Sequence, residues 1–266
     1  MANNQRVAWL PPYDFSAAKI TFVDAWPKAW RDLAPGYDIV PIDRIEMNAL
    51  GSQIMGFRHW FTPASTQPLI NLARRLDAII AKQNRACFVR LSSRSPKDSL
   101  YAVRNGLCIR DGAQALAIIL EGSERCAADL RMALDDDYPL AIIVRNWIDF
   151  PPWAEFRCFM MERRWIGASQ AKHLEQIAFP LIADLKSDIL GALDASMAKI
   201  TAASPIDNAA FDLVFHDLQK SNHAILLDAN PLIVSTDTAL FSSIADLDST
   251  FRFRNSKDNS ILKISF

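Results

Sequence analysis

No Cys-x-x-Cys pair occurs in this chain, and its four cysteines (Cys87, Cys108, Cys126, Cys158) stand singly, without metal-ligand spacing. Three have apolar neighbours, so they read as reduced core thiols of a cytosolic protein. Long apolar runs are missing as well: none approaches the ~20 residues that span a bilayer. The first residues, MANNQRVAWLPP, lack a basic region followed by an apolar run, so no signal peptide is expected. Export through a specialised secretion system would leave no mark in either test. There is no excess charge of one sign. A formal net charge of −1 and a pI near 6.4 give no electrostatic footprint for nucleic acid. Internal repeats and low-complexity stretches are absent too. What the chain does have is apolar bulk, 50% hydrophobic against 22% charged, enough for one large domain or two interlocked lobes. The composition points to a cytoplasmic chain that binds a small molecule or a protein.

Residues 1–65 are rich in Trp and Pro (Trp9, Pro11, Pro12, Trp26, Pro27, Trp30, Pro35, Trp60, Pro63), and the prolines cut them into short pieces. Lys19–Phe22 and Asp38–Ile42 are candidate short strands. The region reads either as a wrap-around lobe with its tryptophans in the core or as a partner-binding face. Leu69, Leu72, Ala73, Leu76, Ile79 and Ile80 then fall on one helical face, which predicts a helix over about 66–83. ACFVRL (Ala86–Leu91) reads as a strand, Gly112–Leu120 and Glu124–Leu134 as helices, and LAIIVRNW (Leu140–Trp147) as a buried strand. AEFRCFMMER and WIGASQ suit an antiparallel pair, and Phe179–Ile200 a long amphipathic helix. AAFDLVF and AILLDANP suit a hairpin around the polar turn 216–223. This order predicts an α+β fold with mostly antiparallel sheets.

The hairpin carries the first chemical signal. Asp228 and Asn230 lie two apart, so they share a strand face. With the turn centred near Lys220, Asp212 faces Asp228. Opposed carboxylates in apolar strands repel unless a cation lies between them. The donors are all oxygen, which favours a hard ion such as Mg²⁺ with phosphates completing its shell. The plainer alternative has Asp228 and Asn230 capping the strand end before Pro231. A second signal is VRLSSRSPKDS (Val89–Ser99), where Arg90 leads into four hydroxyls with Arg94 and Lys97. Such a loop can surround phosphate, and it can equally be an exposed turn. The third is IIVRNWIDFPPWAEFRCF (Ile142–Phe159), in which Trp147 and Ile148 are candidates to cover a base and Arg157 to face phosphate. Read blandly, Trp147 is core and Glu155–Arg157 a solvated pair.

In order and spacing, these segments resemble the cell division cycle protein 123 family, whose members adopt an ATP-grasp fold. VRLSSRSPKDS, VRNWIDFPPWAEFRCFMMERRWIGASQ, AAFDLVF and LLDANPLIVSTDTALF carry the resemblance, over about residues 85–243. It implies two α+β lobes with ATP between them: residues 66–138 as the small lobe, 139–266 as the large lobe with the metal site, and 1–65 as an N-terminal wrap-around or partner lobe. It places Arg90, Ser95 and Lys97 on the phosphate-side loop and Arg145, Asn146 and Trp147, with Ile148 beside them, on the hinge. Arg157 would face the phosphates, and Asp212, Asp228 and Asn230 would hold Mg²⁺. The chain departs from the family pattern at Arg90 (usually lysine), Ser92-Ser93 (usually Asn-Trp), Asn146 (usually basic) and Ala171 (usually arginine, here with Lys172 next to it). Two functions follow from the resemblance. One is an ATP-dependent assembly factor for the gamma subunit of eukaryotic translation initiation factor two or a similar partner. The other, from the wider fold, is an ATP-dependent carboxylate–amine ligase or phosphoryl-transfer enzyme.

Overall fold

The computed structural model describes residues 15–83, 86–172, 174–216 and 223–266. In chain order the elements are α1 (Phe15–Ala18), α2 (Lys28–Arg31), β1 (Tyr37–Pro41), α3 (Arg44–Gln53), α4 (Gln67–Lys82), β2 (Cys87–Leu91) and α5 (Leu100–Asn105). Then come α6 (Gly112–Leu120), α7 (Glu124–Asp135), β3 (Ala141–Asn146), β4 (Glu155–Met161), β5 (Arg164–Gln170), α8 (Pro180–Asp184), α9 (Lys186–Ala203), β6 (Ala209–Val214), β7 (Ile225–Pro231), β8 (Thr250–Arg254) and β9 (Ile261–Ser265). Two sheets result. The small one has the order β1-β3-β2 and is antiparallel throughout; the large one has the order β7-β6-β4-β5-β8-β9, with β5 and β8 its parallel pair.

The apolar patterning explains each layer. Leu69, Leu72, Leu76 and Ile80 recur at helical spacing on α4 and are buried. With residues of α3, α6 and α7 they cover Val40, Val89, Leu91, Ile142 and Val144 of the small sheet. A second core lies under the large sheet, where Ile189, Leu193, Met197 and Ile200 of α9 meet Phe156, Cys158, Phe211, Leu213 and Phe251. The alternate residues of β3, Ala141 and Ile143, belong to this second core. Apolar material therefore lies against both faces of β3, which accounts for its unbroken run of Ala, Ile and Val in an antiparallel sheet. The small sheet draws its strands from residues 37–41, 87–91 and 141–146, on both sides of the divisions near residues 65 and 138 that the resemblance implies.

Trp26 and Trp30 are buried and Trp60 is partly so; Trp9 lies outside the described residues. Trp30 packs edge-on to Phe211 at 5.1 Å, and its indole N–H donates to the Ile200 carbonyl at 3.0 Å, which ties the N-terminal segment to β6 and α9. Lys19–Phe22 is not a strand: Lys19–Thr21 forms a 3₁₀ turn, and Phe22 packs into the first core. The helix expected over 179–200 is broken at Leu185 (φ −98°, ψ 11°), which closes α8 and opens α9. Leu181 is exposed, while Ile182 and Ile189 are buried.

Where α6 crosses α4, the backbones meet so closely that a Cβ on Gly112 would lie 2.0 Å from the Ala73 carbonyl oxygen. Replacing Gly112 by Ala is expected to cost roughly 2–3 kcal/mol through overpacking, or about 4–10 °C in Tm. Circular dichroism melts check this; an unchanged Tm would mean the two helices separate freely.

Candidate nucleotide-binding site

The register of the β6–β7 hairpin sets Asp212 directly opposite Asp228, with Asn230 two residues further along the same face. The expected repulsion is resolved by arginine. Arg157 on β4 neighbours Asp212 on its other side and grips it with a two-pronged fork, Nε to Oδ1 at 2.7 Å and Nη2 to Oδ2 at 2.8 Å. Arg157 Nη1 also donates to the Asp237 carbonyl at 3.1 Å and lies 3.7 Å from the Asp237 carboxylate. From the small sheet, Arg90 on β2 brings Nη1 within 2.9 Å of Asp228 Oδ1, an oxygen that also accepts the Ala229 amide at 3.0 Å. Arg90 is only 2% exposed; its remaining N–H groups reach the carbonyls of Leu91 and Ser93.

The electrostatics follow. Burial pushes the Asp212 carboxyl up, but the charge and hydrogen bonds of Arg157, helped by Lys97 and Arg90, outweigh it and leave the pKa below 3.8. Asp212 in turn raises the Arg157 guanidinium further. Burial raises the half-buried Glu155, with Lys97 and Arg157 pulling the other way and Asp212 adding to the rise. Lys97, exposed at the surface, therefore lies close enough for its charge to act on both Glu155 and Asp212.

The loop from Ser92 to Ser99 is anchored rather than loose. Ser92, Ser93, Ser95 and Ser99 are buried. The Ser92 amide donates to the Ala141 carbonyl at 2.7 Å, and Ser99 caps α5 by accepting the Ala102 amide at 3.1 Å. Asp98 sits at the start of α7, where it accepts the Ser123 hydroxyl at 2.8 Å and the Arg125 amide at 3.1 Å. Asp129 of α7 is fully buried 3.5 Å from Arg94 Nε; burial raises its carboxyl, and Arg94 pulls it back only in part. The serines are held inside, while Lys97 and Asp98 form an exposed turn at the tip of the loop.

The hinge residues separate. Arg145 turns toward β7, where Nη1 donates to the Leu227 carbonyl, and its guanidinium lies 5.2 Å from the Trp26 ring and 5.9 Å from Tyr37. Among the described residues its Nε and Nη2 have no acceptor. Burial, reinforced by Arg90, lowers its pKa to about 9. Asn146 is exposed beside Gly36, whose carbonyl accepts the Asn146 amide at 2.9 Å. Trp147 and Ile148 are half-buried. The Trp147 amide donates to Ala86, and its indole N–H donates to Asp149 Oδ1 at 2.7 Å. Arg90, Arg157, Asp212 and Asp228 thus form one contact cluster, with Asn230 on its face and Lys97 in range, while Ser95 stays within the loop and Asn146 points outward. Asp129 and Asp237 escaped the sequence reading as site residues, and Glu155 entered it only as half of a solvated pair with Arg157. Asp129 had a signal: it falls at helical spacing with Cys126, Leu130 and Ala133, an acid on an apolar face.

The oxygens of Asp212, Asp228 and Asn230 fit Mg²⁺ in donor type. Among the described residues, however, no group of three or more His, Cys, Asp or Glu side chains is placed to hold a metal, and both Asp212 oxygens are engaged by Arg157. Two surface concavities, of about 450 and 370 Å³, lie elsewhere, one beside Phe241 and Arg252 and one beside Arg74 and Asp111.

Two α+β lobes with mostly antiparallel sheets, bridged by Arg90 of the small sheet to the acidic hairpin of the large one, define an α+β protein with its charged cluster between the sheets. The D123 family model matches residues 60–263, and the chain belongs to that family, whose members include proteins named cell division cycle protein 123. The structure of Cdc123 from Schizosaccharomyces pombe shares the fold, with a TM-score of 0.68 and 22% identity over 84% of this chain and 87% of that one. Among curated relatives, a "Translation initiation factor eIF2 assembly protein" of Botryotinia fuckeliana is 24% identical over 192 residues, covering 68% of this chain and 46% of the relative. A protein of the same name from Schizosaccharomyces pombe is 26% identical over 184 residues, 63% of this chain and 54% of the relative. The chain thus spans about half the length of these curated relatives. Among the described residues no helix is long and apolar enough to cross a membrane.

Asp212→Asn is expected to cost roughly 3 kcal/mol at pH 7, because it strands a largely buried guanidinium. The folded pKa of Asp212 lies below its ordinary value of 3.8, so its stabilisation is present above that value and is lost as pH falls through the folded pKa. Urea titrations from pH 7 down to about pH 3 should show the wild type losing stability in acid and the variant lacking that part of the loss. Equal stability at pH 7 would mean the fork contributes nothing.

Proposed function

We propose that the chain binds ATP with Mg²⁺ between its lobes and works in the cytoplasm as an ATP-dependent assembly factor for the gamma subunit of eukaryotic translation initiation factor two, or a similar subunit. The nucleotide half is carried by one observation: Arg90 and Arg157 meet the face that presents Asp212, Asp228 and Asn230, and the charge of Lys97 acts on Asp212. That many cations beside an all-oxygen donor set suit a triphosphate and its metal. Ser95 in the anchored loop supports the phosphate end, and Trp147 and Ile148, half-buried after β3, support a base at the other. The partner half is supported by the names of the relatives, and by a family match that continues past the hairpin to residue 263. Residues 15–31 support a bracing role for the N-terminal segment, since Trp26 and Trp30 pack into the second core.

Glu155 supports a second reading. A carboxyl raised by burial beside Arg157 and Lys97 is a candidate acceptor-side base for a carboxylate–amine ligase or phosphoryl-transfer enzyme.

Thermal melts with and without ATP and Mg²⁺ test the nucleotide site. Ligand at ~100 times its Kd should stabilise by about 2.7 kcal/mol, a Tm rise of roughly 5–10 °C, and Asp228→Asn should abolish the rise. No shift with any nucleotide would sink this half of the proposal. Capture of the gamma subunit by purified chain at micromolar concentration supports the assembly factor. Absence of capture, together with ADP or AMP release that depends on an added acceptor, would favour the ligase.

A further inference from the structure

A metal is the obvious cation to reconcile Asp212 with Asp228, yet two guanidinium groups already do so. Both Asp212 oxygens are taken by Arg157, and Asp228 Oδ1 by Arg90 and the Ala229 amide. We propose that Arg157 is a resident counterion that keeps divalent cations off Asp212, and that the metal binds only when nucleotide phosphates draw Arg157 away. The inference rests on the reading that phosphates occupy this cleft.

The two arginines differ in how free they are to move. Arg90 is 2% exposed and held by Asp228, the Leu91 carbonyl and the Ser93 carbonyl, so it is the fixed member. The Arg157 side chain is 21% exposed and already shares Nη1 with the Asp237 carbonyl, with the Asp237 carboxylate 3.7 Å away. It can release Asp212 and keep a partner. A divalent cation arriving alone would have to break a two-pronged ion pair and then sit beside the displaced guanidinium, with Lys97 adding to the repulsion. A triphosphate removes both obstacles, because its oxygens accept from Arg157 and also ligate the metal. Glu155, Asp237 and Asp228 are the other carboxylates whose charge Arg157 feels.

Mn²⁺ serves as the probe, its free fraction read by electron paramagnetic resonance. Nucleotide-free wild type should bind Mn²⁺ more weakly than about 1 mM. A non-hydrolysable ATP analogue should tighten binding at least about tenfold, and Arg157→Met without nucleotide should tighten it by a similar factor, with Asp212→Asn reversing that gain. Micromolar Mn²⁺ binding by nucleotide-free wild type that is lost in Asp212→Asn overturns the proposal. So does a folded Arg157→Met that binds no better than wild type. Arg157→Gln replaces that variant if it fails to fold. If the analogue does not bind at all, the nucleotide reading of the cleft falls with the phosphate half of this inference, and the nucleotide-free comparison still decides whether Arg157 shields Asp212.

Discussion

Arg90 reaches from the small sheet to Asp228 on the large one, and three parts of the molecule are fixed by that one side chain. It sets the spacing of the lobes through the carboxylate, the start of the serine-rich loop through the Leu91 and Ser93 carbonyls, and the face of the hairpin that looks into the cleft. A charged group this buried is costly to leave without its partner. The lobes therefore have a strong reason to remain in the arrangement that keeps the pair intact. The family's usual lysine would deliver the same charge from a single point. A guanidinium adds directed N–H groups that reach the loop and the opposite strand at once.

β3 gives the same junction its apolar half. Its even-numbered residues, Ile142 and Val144, fill the helical core, and its odd-numbered ones, Ala141 and Ile143, meet Val23, Trp26 and Trp30 from the N-terminal segment. The early tryptophans thus belong to the interior of the large lobe, although they precede every strand of it in the chain. Such long-range closure draws β1 onto β3 across most of the small lobe's sequence, with Tyr37 opposite Arg145. Local pieces of the small lobe can form early, but the sheet that unites them waits for residues 141–146.

Much of this was legible in the sequence. Period and punctuation placed α4, β2, α6, α7 and the β4–β5 pair, and strand alternation together with an assumed turn centre near Lys220, which lies outside the described residues, put Asp212 opposite Asp228. What was not legible came from interactions distant in the chain. The counterions of the two aspartates come from β4 and β2, and pattern within the hairpin cannot reveal them. The β4–β5 turn carries Glu162 and Arg163 at positive φ, where glycine or asparagine is usual. It is held by the Glu162 amide donating to Asn208 Oδ1 and Arg163 Nη1 donating to the Ser204 carbonyl. Beyond Phe241 the sequence reading offers no element. TFRFR nevertheless alternates Phe251 and Phe253 with Arg252, which is buried against Asp246 and Asp248.

The direction taken by Arg145 has one more consequence, which concerns the rim of the large sheet. β7 is the outermost strand on its side, and an outer strand exposes backbone groups on which another chain can build. Here the Leu226 amide donates to the Leu33 carbonyl at 2.9 Å, and the Leu227 carbonyl accepts Arg145. Arg145 thus blunts a sheet edge. On the far side the edge strand β9 carries Lys263 at mid-strand, and Phe266 just after it is stacked on Trp165 at 3.9 Å.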